Sequence, residues 1–155
     1  RVDDAQATLQ NSICHDINHL GALRLAQACA RRGVALVCFS SDLVFDGQKS
    51  TPYLEGDETA PLNVYGQSKA LMENAVLQAH SNALVARTSA FFGPDDNWNF
   101  VTIALRSLLR GEEFRAAHDL LISPTYVPKL AHKTLDLAID GEKGIRHIAC
   151  STALS

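Results

Sequence analysis

The chain has no stretch suited to a membrane: no run approaches the ~18 consecutive apolar residues that a span requires. Its first residues show no charged, apolar, small-residue leader. Excess charge of one sign is also missing. A formal net charge of −3 leaves no electrostatic footprint for nucleic acid or an anionic surface. The cysteines, Cys14, Cys29, Cys38 and Cys150, form no CxxC pair, so neither a disulfide framework nor a thiolate zinc site has its usual signature. A reduced, cytoplasmic protein is the expectation, with Cys29 and Cys38 as buried thiols. Repeats and low-complexity segments are absent, and 155 residues suit one domain. No methionine opens the chain. Arg1 begins it in polar sequence, which reads as a cut.

What is present is an alternation of helix and strand. A helix is expected from the late teens to Arg32, with Leu20, Leu23, Gln27 and Ala30 on one face and Gly33 as its stop. Val34–Phe39 is a continuous apolar run, the pattern of a strand buried on both faces of a parallel sheet. Ser40-Ser41-Asp42 ends it. The polar segment from Gln48 to Asn63, with Pro52 and Pro61, predicts a long loop of the kind that is usually functional. Helix follows from Val64 to His80, with Tyr65, Lys69, Met72, Val76 and Ala79 in one stripe. Ala83–Ala86 reads as a second buried strand, which Arg87-Thr88-Ser89 leaves. Val101, Leu105 and Leu108 mark a helix closed by Gly111, followed by a short strand near Phe114. Pro124–Pro128 is an extended lead into a helix through Ile139, with Leu135 and Ala138 inward, and Gly144–Ala149 is a last strand. Strands separated by helices predict a parallel α/β sheet.

The chemistry concentrates in Pro61-Leu62-Asn63-Val64-Tyr65-Gly66-Gln67-Ser68-Lys69. Residues four apart on a helix are neighbours, so Lys69 lies along the face that carries the Tyr65 hydroxyl. A nearby ammonium is expected to lower the phenol pKa from ~10 toward neutrality, which suits a general acid. Ser41 closes the earlier strand, at the edge where open α/β sheets bind ligands. Its hydroxyl can orient a carbonyl that Tyr65 protonates. A bare YxxxK is weak evidence, and Tyr65 alone reads as a packing aromatic. The surrounding P-x-N-x-Y-G-x-S-K, with Ser-Ser-Asp upstream, changes that balance.

Ser40-Ser41-Asp42-Leu43-Val44-Phe45-Asp46-Gly47, Tyr53-x-Glu55, Pro61 to Lys69, Arg87-Thr88-Ser89, Asn99-Phe100 and Pro124-Thr125-Tyr126-Val127 occur in one order along the chain. In this the sequence resembles the extended short-chain dehydrogenase/reductases, in their dTDP-4-dehydrorhamnose reductase branch, from Val2-Asp3-Asp4-Ala5 to the last residues. The resemblance implies a doubly wound, Rossmann-like parallel sheet over residues 1–155, forming part of an NAD(P)-binding reductase domain and part of its substrate region. It implies hydride transfer from the reduced form of NADP or NAD to a 4-keto nucleotide sugar, with Ser41, Tyr65 and Lys69 as the catalytic set. Periodicity leaves open whether Ser40 or Ser41 faces the substrate, and the motif register selects Ser41. Ser40, Tyr65, Lys69, Arg87, Thr88 and Ser89 would line the cofactor. Ser41, Val44, Phe45, Asn99, Phe100 and Thr125 would line the sugar nucleotide, although Asn99 serves equally as a helix cap. Asn18 matches an asparagine that recurs on the first helix.

Other positions depart from the family pattern. There is no Gly-x-x-Gly-x-x-Gly turn for a pyrophosphate, so the chain alone is expected to be inactive and to bind NADP(H) weakly or not at all. Ala90 stands where the family usually has tryptophan. Asp119-Leu120-Leu121-Ile122-Ser123-Pro124-Thr125 lacks the usual glutamine and glycine. A changed substrate lining is therefore expected. The alternatives are a non-catalytic regulatory or binding module of the same fold, or a sugar-nucleotide epimerase or dehydratase. A nucleotide sugar is the expected partner, without nucleic acid or membrane, and a homo-oligomer is the candidate assembly. His15 and His19 have the i, i+4 spacing of helical zinc ligands, but Asp16 stands where such motifs carry glutamate and no third ligand follows. Solvated histidines and no metal are the reading there.

Overall fold

The computed structural model describes residues 8–94, 96–116 and 121–152. The expectations placed on Val2 to Ala5 and on Asp119 and Leu120 lie outside them. Three parallel strands, β1 (Val37–Ser41), β2 (Leu84–Thr88) and β5 (Gly144–His147), form a sheet in the order β1-β2-β5. Cys38 pairs with Val85, Ser41 with Thr88 and Val85 with Ile145. A second sheet, only two strands wide, pairs β3 (Phe91–Phe92) with β4 (Thr125–Tyr126), also in parallel. Rossmann-like α/β layering is thus present.

Helices α1 (Thr8–His15), α2 (Ala22–Arg32) and α3 (Val64–Ala79) precede β2, while α4 (Phe100–Leu109) and α5 (Val127–Ile139) follow it. Alternation along β2 assigns the layers. Val85 packs in a core cluster with Ala26 of α2 and Met72 and Val76 of α3. Ala86, on the other face, packs with Leu130 of α5 and Ile148. Helices on both faces explain why all five residues of β2 are buried.

The first helical stretch begins earlier than expected. A π-helical turn, Asp16–Gly21, joins α1 to α2. The face that meets the core is Ala22, Ala26 and Cys29, and Gln27 and Ala30 are exposed. Small residues there admit a close approach of α2 to α3, which the apolar stripe of larger residues did not indicate. Gly33 does close the helix, with φ 62° and its N–H donated to Ala30 and Cys29 carbonyls.

Strand β1 starts three residues after the expected Val34 and includes both serines. It is not buried on both faces: Phe39 is 44% exposed. The physical reason is position. β1 lies at the end of the sheet order, and Phe39 is in register with Ala86, on the face where α5 covers β2.

No strand forms near Phe114 among the described residues, and that ring instead stands edge-on to Phe100 at 5.2 Å. Helix α4 forms, but none of its residues is buried. On α5 the inward residues are Leu130 and Thr134, and Leu135 is exposed.

Candidate active site

The strand β1 ends in a 3-10 turn, Asp42–Val44, capped by the Ser41 hydroxyl, which accepts the Leu43 N–H at 3.2 Å. The first turn of α3 sits directly on this turn. A Cβ at Gly66 would stand 2.1 Å from the Leu43 carbonyl oxygen, so only glycine admits the contact. Asn63 caps α3, its Oδ1 accepting the Gly66 N–H at 2.7 Å. Together these features place Tyr65 beside the end of β1.

Lys69 follows one turn later. Its Nζ lies 5.6 Å from the centroid of the Tyr65 ring and donates to the Phe39 carbonyl at 3.0 Å. Both side chains are half-buried. No hydrogen bond engages the Tyr65 hydroxyl among the described residues. The expected fall in its pKa is not found. Burial raises it, and the negative charges of Asp42 and Cys14 raise it further. Burial also lowers the Lys69 pKa, against opposing charges from Cys38, Cys14 and Glu73. The phenol is therefore held in its protonated, proton-donating form.

A polar cluster braces α3 from the first helix. Ser68 donates to the Tyr65 carbonyl at 2.7 Å and accepts from Asn18 Nδ2 at 3.1 Å, with Cys14 Sγ 3.5 Å away. Asn18 lies in the π-helical turn, an irregularity that frequently marks functional sites. Ser68 and Cys14 carried no spacing signal of their own, because their partnership spans more than fifty residues of sequence.

The remaining candidates divide. Ser40 and Thr88 are buried at the carboxyl ends of β1 and β2, and their hydroxyls have no hydrogen-bond partner in the described structure. Such orphaned groups are uncommon in folded proteins. Ser89 donates to Asp42 Oδ2 at 2.5 Å, and Ser41 donates to Asp42 Oδ1 at 3.1 Å. Asp42 is thus the residue that joins the two strand ends, and the sequence reading had treated it only as part of a motif. Thr125 is buried and bonded to the Ser123 carbonyl.

Five further expected site residues have the following surroundings. Arg87, expected on the nicotinamide side, makes a buried two-pronged ion pair with Glu73 at 2.8 and 2.7 Å and donates to the Glu55 carbonyl. Val44 is fully buried, and Phe45 lies beneath the Arg87 guanidinium and is stacked on Tyr53 at 4.1 Å. Both are core. Asn99 caps α4, accepting the Thr102 N–H and donating to the Asp96 carbonyl. Phe100 is exposed on α4.

His15 and His19 are half-buried and bonded to each other at 2.9 Å, so they are not simply solvated. No group of three metal-binding side chains occurs among the described residues, and no helix there is long and apolar enough to cross a membrane. A cavity of about 440 Å³ opens at the opposite ends of the strands, bordered by Gly33, Leu36, His80 and Asn82. None of the candidate residues reaches it.

Comparison with known proteins places this geometry. Residues 1–155 match the family described as RmlD substrate binding domain. The chain is similar to a dTDP-4-dehydrorhamnose reductase of Mycobacterium tuberculosis, with 37% identity over 147 residues, 92% of this chain and 48% of that protein. It is similar to the crystal structure of dTDP-4-dehydrorhamnose reductase from Bacillus anthracis in complex with NADP, with a TM-score of 0.93 and 33% identity, over 100% of this chain and 54% of the other. A dTDP-glucose 4,6-dehydratase from Streptomyces venezuelae, with NAD and TYD bound, shares the fold at a TM-score of 0.86 and 21% identity, over 99% of this chain and 50% of the other. The chain spans about half the length of the curated relatives it matches.

Proposed function

The chain belongs to the RmlD substrate binding domain family, and from that premise we propose that it supplies the proton-donating part of a reductase acting on a 4-keto nucleotide sugar. One observation carries the reading. The protonated Tyr65 hydroxyl, free of hydrogen bonds within the described structure, stands one helical turn from Lys69 and beside the Ser41-Asp42 strand end.

Each residue has a role in this reading. Ser41 orients the ketone oxygen, Tyr65 passes its proton to that oxygen, and Lys69 steadies the phenol. The bond from Lys69 to the Phe39 carbonyl fixes its ammonium at the strand end, where it would hold the ribose next to a nicotinamide. NADP is the dinucleotide in the similar B. anthracis structure, and its reduced form would supply the hydride when bound. The uncommitted hydroxyls of Ser40 and Thr88 suit this end of the site. The pyrophosphate has no glycine-rich turn among these 155 residues. The 155-residue chain alone is therefore expected to bind NADP(H) weakly, which calorimetry would check.

The test is NADPH oxidation with a dTDP-4-keto sugar by the natural gene product that carries these residues. Turnover is expected, and Tyr65→Phe should reduce kcat at least about 100-fold while NADPH still binds. Tight NADPH binding without turnover of any 4-keto sugar would leave a regulatory module as the better account.

A further inference from the structure

We propose that Asp42 is a positioning residue, whose carboxylate ties the Ser41 hydroxyl to the Ser89 hydroxyl across the ends of β1 and β2 and presents a fixed negative charge to the Tyr65 phenol. The geometry is specific. Ser41 gives its only hydroxyl proton to Asp42 Oδ1, and its oxygen accepts the Leu43 N–H. Ser89 occupies the other carboxylate oxygen. Each oxygen of Asp42 thus holds one serine, and the two serines come from neighbouring strands that end in register at Ser41 and Thr88.

Two consequences follow for the acid–base chemistry proposed above, on which this inference rests. Ser41 as it stands has no proton left for a ketone. It must turn away from Asp42 to donate one, and the bond from Ser89 keeps the carboxylate in place while it does so. The phenol, meanwhile, is faced by Asp42 from the 3-10 turn and Cys14 from α1, both of which favour the neutral form, and by Lys69 from its own helix. Burial acts in the same direction as Asp42. Removing the carboxylate takes away one of the influences that favour the neutral phenol.

The three tyrosines make this measurable without any turnover. In the 155-residue chain labelled with [13C]tyrosine, Asp42→Asn should move the titration of Tyr65, assigned with Tyr65→Phe, to lower pH. The resonances of Tyr53, bonded to Asp46, and Tyr126 at neutral pH should match those of the unaltered protein, which certifies the fold. Asp42→Glu, which restores the charge, should return the titration toward that of the unaltered protein. A Tyr65 titration unmoved in Asp42→Asn overturns the proposal.

A second measurement reads the hydrogen-bonded chain directly. The Leu43 amide, held by the Ser41 oxygen, should change its resonance in Asp42→Asn, because the serine loses its carboxylate partner. An amide that keeps its position in that variant also overturns the proposal. Failure of the reductase reading is distinguishable: a gene product without turnover, whose Tyr65 still answers to Asp42, leaves this inference standing.

Discussion

A methyl group placed on Gly66 would meet the Leu43 carbonyl oxygen at 2.1 Å and the Pro61 Cβ at 3.0 Å. The first obstacle is backbone, so it cannot swing aside as a side chain would. Helix propensity alone favours Gly66→Ala by about 1 kcal/mol. Overpacking against rigid neighbours costs about 1–3 kcal/mol, sometimes more, and here the clash wins. Gly66→Ala is therefore expected to destabilise the chain by about 1–2 kcal/mol net in urea denaturation, and a stabilised variant would show that α3 does not seat on the strand end. At this scale the one-turn spacing of Tyr65 and Lys69 was readable because it is local, and Ser41 came from the motif register. The direction of the Tyr65 shift was not. It comes from burial and from Asp42, which the fold brings across twenty-three positions. The burial of Val44 and Phe45 was unreadable for a related reason: their place in a motif says nothing of which way they point.

Glu55 latches the long loop between the 3-10 turn and α3 to the sheet. Glu55 accepts the His147 N–H at 3.0 Å through its carboxylate and the Arg87 guanidinium through its carbonyl. The His147 backbone bond holds the Glu55 carboxyl below its ordinary value near 4.5. Burial pushes His147 below its ordinary 6.5, helped by the Arg87 charge and opposed by Glu55. Both groups take up protons more readily when unfolded, so both stabilise the fold at high pH and withdraw that support as pH falls. Thermal midpoints should hold above pH 6.5, decline below it as the unfolded His147 protonates, and decline again below pH 4.5. His147→Gln should flatten the first decline and Glu55→Gln the second. Melts that improve with acidification would contradict the latch. Elements with long apolar runs, such as β2 and α3, were legible because burial on both faces or one stripe leaves a pattern. The two-residue strands β3 and β4 leave none, and the buried Glu73–Arg87 pair joins residues whose helix and strand positions read separately as polar.

Over the whole molecule, apolar surface remains in water that the described structure does not cover. Helix α4 buries nothing, and Leu105, Leu108 and Leu109 stand exposed on it, with Trp98 before it and Ile139 at the end of α5. Among the described residues β1 pairs with β2 alone, which leaves its other edge unpaired there. Apolar patches of this kind, next to an unpaired edge, favour association of like chains, and each large apolar side chain removed from water is worth about 1.5–3 kcal/mol. The 155-residue chain is accordingly expected to self-associate with rising concentration in sedimentation velocity. Leu105→Glu with Leu108→Glu should weaken that association while leaving the melt of the folded chain nearly unchanged, because α4 contributes no buried residue to the core. Two results would count against this picture: a species that stays monomeric at every concentration and melts cooperatively at high temperature, or a double variant that loses the fold and so shows α4 to be part of the core after all.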